Sequence, residues 1–215
     1  MRTECLIWDW NGTLLDDVAL CNDCLNQLLE AHGYPQRYDR AGYRAVFGFP
    51  IIDYYRRAGF DFSRHPFPDL AAEYIRLYDP ASLACPLASG APEALAAAGA
   101  AGLRQVILSA SEQGALERQV RHFGLPGFFD ELLGQGDFYA HGKLEAGRAW
   151  LARRRLYPAA AVLVGDSLHD AEVAAALGVR CVLCSAGHQP PEALRTAGVP
   201  VIGTLWELPA LLGFS

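Results

Sequence analysis

Residues 5–13 read Cys5-Leu6-Ile7-Trp8-Asp9-Trp10-Asn11-Gly12-Thr13: an unbroken apolar run, then a polar turn that begins on an acid. A short apolar run without alternation, closed by turn residues, marks a strand covered on both faces, as strands of parallel sheets are. The pattern recurs downstream. Val106-Ile107-Leu108 runs into Ser109-Ala110-Ser111, Val162-Leu163-Val164 runs into Gly165-Asp166-Ser167, and further apolar runs occupy 179–183 and 199–202. Between these runs lie segments of helical period at 92–98, 112–123, 143–156, 171–177 and 192–197, most of them closed by a glycine such as Gly99, Gly124 or Gly178. Strands alternating with helices predict an α/β fold, a doubly wound parallel sheet with a Rossmann-like core.

The alternation fails between the first two strands. Residues 16–85 carry helical periodicity and no strand run, with helices expected at 17–32, 39–47, 51–58 and 69–78, bounded by Gly33, Gly48, Gly59 and Pro80. The expectation is an inserted α-helical domain at 16–85, on a core formed by 1–15 and 86–215.

Composition agrees with a packed α/β protein. The chain has 215 residues, of which 52% are hydrophobic and 20% charged, values that exclude disordered, collagenous and coiled-coil classes. Its net charge of −6 offers no diffuse basic surface, so neither nucleic acid nor anionic membrane is an expected partner, and a small polar or ionic ligand is. No stretch approaches the roughly 18 apolar residues of a membrane span, and Met1-Arg2-Thr3-Glu4 enters the first strand without an apolar leader, so a cytoplasmic location is expected. Six cysteines include two C-x-x-C pairs. Cys21 and Cys24 share a helix face, but the odd spacing of Cys181 and Cys184 along a strand points them to opposite sides, which argues against a four-thiolate zinc site.

In open parallel sheets ligands bind beyond the carboxyl ends of the strands. There this chain places Asp9, Ser109 and Asp166, with Asp170 one helical turn after Asp166. Three acids crowded at one sheet edge repel one another. A hard divalent cation relieves the repulsion, and an all-oxygen ligand set suits Mg²⁺. Lys143 is the only lysine, the other 17 basic residues being Arg, and it opens a predicted helix near the site. A compact ammonium there suits the neutralisation of a phosphate oxygen and of neighbouring carboxylates.

Taken in order, Asp9-Trp10-Asn11-Gly12-Thr13-Leu14, Ser109, Lys143 and Gly165-Asp166-Ser167-Leu168-His169-Asp170 resemble the four motifs of the haloacid dehalogenase-like hydrolase superfamily. The likeness covers essentially the whole chain, and the helical insertion resembles that superfamily's cap, nearest to its phosphoglycolate phosphatase-like, small-molecule branch. The resemblance implies Asp9 as a nucleophile that forms an aspartyl-phosphate, and Mg²⁺ held by Asp9, Asp166, the backbone carbonyl of Asn11 and Asp170. It implies Thr13, Ser109, Ala110 and Lys143 around the phosphoryl group, and a small phosphorylated metabolite as substrate.

Asn11 departs from the pattern. The superfamily's phosphatases usually carry there a second Asp, which protonates the leaving group and then activates water, and an amide does neither. Four readings stay open: a slow phosphatase, a substrate with a good leaving group, replacement by a group such as His169, or a substitution that traps an intermediate. On the first reading, Asn11→Asp accelerates turnover. Arg44, Phe47, Gly48 and Arg56, around the turn Phe47-Gly48-Phe49-Pro50, are the expected substrate-reading residues of the cap, with an Arg meeting a carboxylate or second phosphate. Two further alternatives are a phospho-ligand-binding or regulatory protein with little turnover, and a sugar-phosphate mutase. Halide release needs no metal and is disfavoured by the paired Asp166 and Asp170, and a Schiff-base mechanism finds no lysine in the cap.

Overall fold

The first apolar run becomes β1 (Cys5–Trp8), every residue of it buried, and takes an inner position in a six-stranded sheet. The computed structural model describes residues 3–136 and 143–214; Met1 and Arg2, part of the opening read above, lie outside them. The chain continues through α1 (Val18–Ala31), α2 (Arg40–Val46), α3 (Ile51–Ala58), α4 (Phe67–Ser82), α5 (Ala91–Ala100), β2 (Arg104–Glu112) and α6 (Gln113–His122). It ends with β3 (Glu131–Gln135), α7 (Lys143–Arg154), β4 (Ala161–Gly165), α8 (Leu168–Leu177), β5 (Arg180–Cys184), α9 (Pro191–Leu194), β6 (Val201–Ile202) and α10 (Leu208–Leu212).

The strand order is β3-β2-β1-β4-β5-β6, all parallel, so the predicted doubly wound α/β sheet is the one formed. Leu6, Trp8, Val162 and Val164 face one side, against α5 and α6, while Ile7, Val106 and Leu163 face the other, against α7 and α8. Burial on both faces is why these strands read as unbroken apolar runs. Cys181 and Cys184 fall into opposite cores, as their odd spacing requires. Among the described residues all six cysteines are free thiols.

Trp8 lies opposite Ile107 on one side and Val164 on the other. This register sets the residues that follow β1 and β4, Asp9 and Asp166, side by side at the carboxyl edge. The sheet reverses its order there, since the chain adds β2 and β3 on one flank of β1 and β4 to β6 on the other.

Four elements depart from the sequence reading, among them α4, which runs through Pro80, its expected end, to Ser82. Strand β3 was not anticipated: it is a half-buried edge strand interrupted by Gly134. Strand β2 runs on past Ser109 to Glu112, with a pairing irregularity between Leu108 and Glu112. Helix α8 starts at Leu168 rather than 171, because Ser167 and Asp170 form a capping box that satisfies the free N–H groups of its first turn.

Helices α1 to α4 gather a core of their own, rich in aromatic rings, which includes Leu25, Leu28, Tyr43, Tyr54, Tyr55 and Tyr78. The chain leaves and re-enters the sheet at one place. Leu15 and Leu87 form an antiparallel bridge, Asp16 N–H donates to Pro86 O at 3.0 Å, and Ala88 N–H donates to Leu14 O at 2.9 Å. No helix among the described residues is long and apolar enough to cross a membrane.

Candidate active site

Asp9, Asp166, Asp170 and Lys143 meet in one buried cluster. The ammonium of Lys143, the first residue of α7, lies 2.7 Å from Asp9 Oδ1 and 2.5 Å from Asp170 Oδ1. Oδ2 of Asp170 accepts from the backbone N–H groups of Asp166 and Ser167, each at 3.1 Å, and from Ser167 Oγ at 2.7 Å. Asp166 Oδ2 accepts from the backbone N–H of His188 at 2.5 Å. Gly12 makes this crowding possible. Its φ of +75° favours glycine, and a Cβ there would overlap Asp166 Oδ2 and the His188 ring.

Carboxylate oxygens of Asp9, Asp166 and Asp170 all lie within 4.8 Å of one another. Burial raises the Asp9 pKa to about 6, against the pull of Lys143, and the negative charge of Asp170 adds to the rise. Burial likewise raises Asp166 to about 8, against the pull of His188, with Asp9 and Asp170 adding to it. Asp170 is also buried, but the ammonium of Lys143 outweighs burial and holds it below the usual carboxylate range. One ammonium therefore leaves Asp9 and Asp166 short of positive charge. An all-oxygen set with that deficit fits a hard divalent cation. The oxygens of Asp170 are already engaged, so Asp9 and Asp166 are the freer ligands.

The predicted phosphate contacts divide. Thr13 is buried and its hydroxyl lies 3.3 Å from Asp9 Oδ2. Ser109 is buried behind the site, its Oγ accepting from Ser111 N–H at 3.0 Å. Ala110 borders the cavity, together with Ser111, which sequence reasoning passed over.

Asn11 is held on every polar atom of its side chain. Nδ2 donates to Asp17 Oδ2 at 2.8 Å and to Tyr78 OH at 2.5 Å, while Oδ1 accepts from Ser111 Oγ at 2.7 Å. Asp17, wholly buried just before α1, also accepts from Gly12 N–H at 2.9 Å and Tyr78 OH at 2.6 Å, and pairs with His188 Nε2 at 3.2 Å. The other ring nitrogen of His188 lies 2.8 Å from Tyr43 OH. Burial opposes charge on both members of the Asp17–His188 pair. Each nonetheless favours the charged form of the other, so Asp17 is lowered and His188 is raised to about 9. Asp17, Tyr43 and Tyr78 were not expected here. The only trace of them is the doubled acid Asp16-Asp17 after the first motif.

A cavity of about 310 Å³ opens on this cluster, bordered by Asp9, Asn11, Lys143 and Asp166 on the sheet side and by α3, α4 and the turn before α3 on the other. Of the residues expected to read substrate, Phe47 borders it, while Gly48 is buried next to it. Arg44 and Arg56 do not border it. Arg44 donates to Ala186 O and thereby ties α2 to the loop after β5, and Arg56 pairs with Asp53 on the exposed face of α3 at 2.5 Å. His169 is also outside the cavity wall, stacked on Phe49 with ring centroids 4.5 Å apart.

The profile of the haloacid dehalogenase-like hydrolases matches residues 6–184. The tyrosine-protein kinase PtkA of Mycobacterium tuberculosis is 29% identical over 117 residues, a stretch that is 53% of this chain and 40% of PtkA, less than half of that relative's length. In three dimensions PtkA superposes with a TM-score of 0.82 at 25% identity, over 99% of both chains. A protein of Clostridium acetobutylicum described as a predicted phosphatase superposes with a TM-score of 0.83 at 18% identity, over 99% of both chains. One of Haemophilus somnus 129PT, described as a predicted phosphoglycolate phosphatase, does so with a TM-score of 0.80 at 17% identity, over 98% of both. The last two are likenesses of fold.

Proposed function

The chain belongs to the haloacid dehalogenase-like hydrolase family, and on that footing we propose that it is a Mg²⁺-dependent phosphatase acting on a small phosphomonoester through an aspartyl-phosphate on Asp9. The observation that carries the reading is the buried junction of Asp9, Asp166 and Asp170 with Lys143 at the point where the sheet reverses its order.

Asp9 supplies the nucleophilic oxygen, and Lys143, 2.7 Å from it, holds that carboxylate in place and meets the charge of an incoming phosphoryl group. Mg²⁺ would be held by Asp9, Asp166 and the backbone carbonyl of Asn11, with Asp170 behind them. When bound it neutralises phosphoryl oxygens. Thr13 and the turn Trp10–Gly12 complete the surroundings of the phosphoryl group, with Ser109 and Ala110 on the β2 side. Residues 16–85 act as a cap that shuts water out of the cavity, docked through His188 against Tyr43 and Phe47.

A second reading, a protein that captures phosphorylated ligands and turns them over little, is favoured by the Asn11 side chain, which carries no proton to give and is fully engaged. A mutase needs the same missing acid and is the weaker alternative. Phosphate release from a panel of phosphomonoesters with Mg²⁺, followed by mass spectrometry of the protein, separates the first two. Release that stops on chelation, with a phosphorylated Asp9, supports the phosphatase. Stoichiometric binding with neither outcome supports the binder.

A further inference from the structure

We propose that the substrate is a phosphomonoester of a phenol, its ring seated against the aromatic wall of the cavity; this rests on the phosphatase reading above. Beyond the carboxylates the wall is built from Phe47, Phe49, Ile51, Tyr54, Tyr55 and Tyr74. Each cation that borders the cavity among the described residues already has an acid: Lys143 has Asp9 and Asp170, His188 has Asp17 at 3.2 Å, and Arg118 has Asp79 at 2.6 Å. Beyond Lys143, a second carboxylate or phosphate on the substrate meets only Arg118, whose half-exposed pairing with Asp79 it would have to break, whereas a flat apolar group meets rings along most of the wall. One buried polar group in that wall lacks a partner. The hydroxyl of Tyr54 makes no hydrogen bond, and buried hydroxyls are normally satisfied. Size agrees as well, since an apolar cavity of about 150 Å³ admits benzene and this one measures about 310 Å³.

The chemistry at Asn11 points the same way by an independent route. As the Asp9 oxygen bonds to phosphorus, the bond from phosphorus to the ester oxygen breaks and that oxygen departs with the electron pair. An alkoxide is about as basic as hydroxide and needs a proton as it leaves. A phenoxide, with a pKa of about 10, leaves unassisted and takes its proton from solvent afterwards. Water then attacks phosphorus, the bond to Asp9 breaks, its carboxylate is restored, and inorganic phosphate leaves with the proton shared between it and solvent. With no base at Asn11 that second step is slow, so the phosphoenzyme builds up. The aromatic wall separates a phenol ester from an acyl phosphate, which has an equally good leaving group and no ring.

The test uses the full chain with Mg²⁺ and compares phenyl phosphate with acetyl phosphate, glycerol 3-phosphate and phosphoglycolate. Phenyl phosphate is expected to exceed the two alkyl esters in kcat/KM by about 10²-fold or more, the range a general acid supplies, and to give a burst of phenol. Binding is read separately by calorimetry, where phenylphosphonate is expected to bind at least tenfold tighter than methylphosphonate, neither being cleaved. Ile75 lies on the wall and is only half-buried, so Ile75→Ser is expected to fold and to lower the ratio of kcat/KM for phenyl phosphate to that for acetyl phosphate. Equal kcat/KM for alkyl and phenyl esters, or equal binding of the two phosphonates, overturns the phenol assignment and leaves the phosphatase standing. A kcat/KM for phenyl phosphate no higher than for acetyl phosphate, with a ratio unmoved by Ile75→Ser, also overturns it. No phosphate release and no phosphoenzyme with any compound overturns the phosphatase reading itself.

Discussion

The side-chain amide of Asn11 donates to the carboxylate of Asp17 across 2.8 Å, and Asp17 has no exposure to solvent. An acid at residue 11 would set two carboxylates at that separation in a site where water cannot screen them. Asn11→Asp alone is therefore expected to lose about 1–3 kcal/mol of stability through the broken pairing, and to gain little turnover. The exchange of both residues, Asn11→Asp with Asp17→Asn, restores a donor and an acceptor between them but takes away the charged partner of His188, so it is expected to recover stability only in part while speeding dephosphorylation. Urea denaturation and single-turnover kinetics on the three variants check this. A single Asn11→Asp protein as stable as the wild type would uncouple the two positions.

Asp9→Asn removes the proposed nucleophile and one of three mutually repelling acids. Phosphoenzyme formation is expected to vanish, while the melting temperature stays level or rises in the absence of metal. Intact-protein mass spectrometry after exposure to phenyl phosphate is the measurement, and a phosphorylated Asp9→Asn protein would move the nucleophile elsewhere.

Lys143 is the sole ammonium shared by Asp9 and Asp170, and it is as buried as they are. Lys143→Ala is expected to lower kcat by about 10²–10³-fold, as loss of a preorganised donor does, and to destabilise the fold by about 3–5 kcal/mol through two orphaned carboxylates. Lys143→Arg should recover stability better than rate, because a planar guanidinium does not place its charge at the same point. The kinetics are read on protein shown by circular dichroism to be folded, and wild-type turnover in Lys143→Ala would make the residue dispensable.

Asp9, Asp166 and His188 all have folded-state pKa values above their ordinary ones, at about 6, about 8 and about 9. A raised folded value binds protons more tightly in the native state, so its stabilising contribution is present below the ordinary pKa and is lost as pH rises through the folded one. The metal-free protein is therefore expected to lose melting temperature from about pH 4, where the two carboxyls begin to release protons in the unfolded chain, to about pH 9, where His188 does so in the folded one. Mg²⁺ competes with the protons on the carboxylates, so its stabilisation should grow over the same interval. Thermal melts with EDTA and with Mg²⁺ across this range provide the comparison. A flat metal-free profile, or a Mg²⁺ effect that shrinks as pH rises, would contradict the assignment of the acid cluster.

The central strands were legible because burial on both faces gives each of them an unbroken apolar run, as at 5–8, 106–108 and 162–164. Strand β3 was not, since a half-buried edge strand holding Gly134 carries neither an unbroken run nor an alternation. The acids at the ends of β1 and β4 were legible for a related reason, in that topology alone brings those ends together. The surroundings of Asn11 were hidden because they form across long sequence separations: Tyr78 is 67 residues away, and His188 meets Tyr43 across 145. Arg44 and Arg56, expected over the substrate, do not border the cavity because they find partners elsewhere, at Ala186 and Asp53. The aromatic wall had a signal that was overlooked. Ala71, Tyr74, Ile75 and Tyr78 recur along α4 at the spacing of a single helix face.

The bridge between Leu15 and Leu87, closed by Asp16 N–H on Pro86 O at 3.0 Å, brings the two ends of the helical excursion to one point. An excursion that starts and finishes in the same place puts no tension on the sheet, whatever its length, because loop-closure entropy grows only slowly with added residues. Such a segment is open to wholesale exchange over evolutionary time, as sites with adjacent ends tolerate inserted domains. Asp17 and Tyr78 are exceptions to that freedom. Both lie inside the excursion yet hold Asn11 of the turn after β1, so a lineage that replaced the helices would have to replace residue 11 in step.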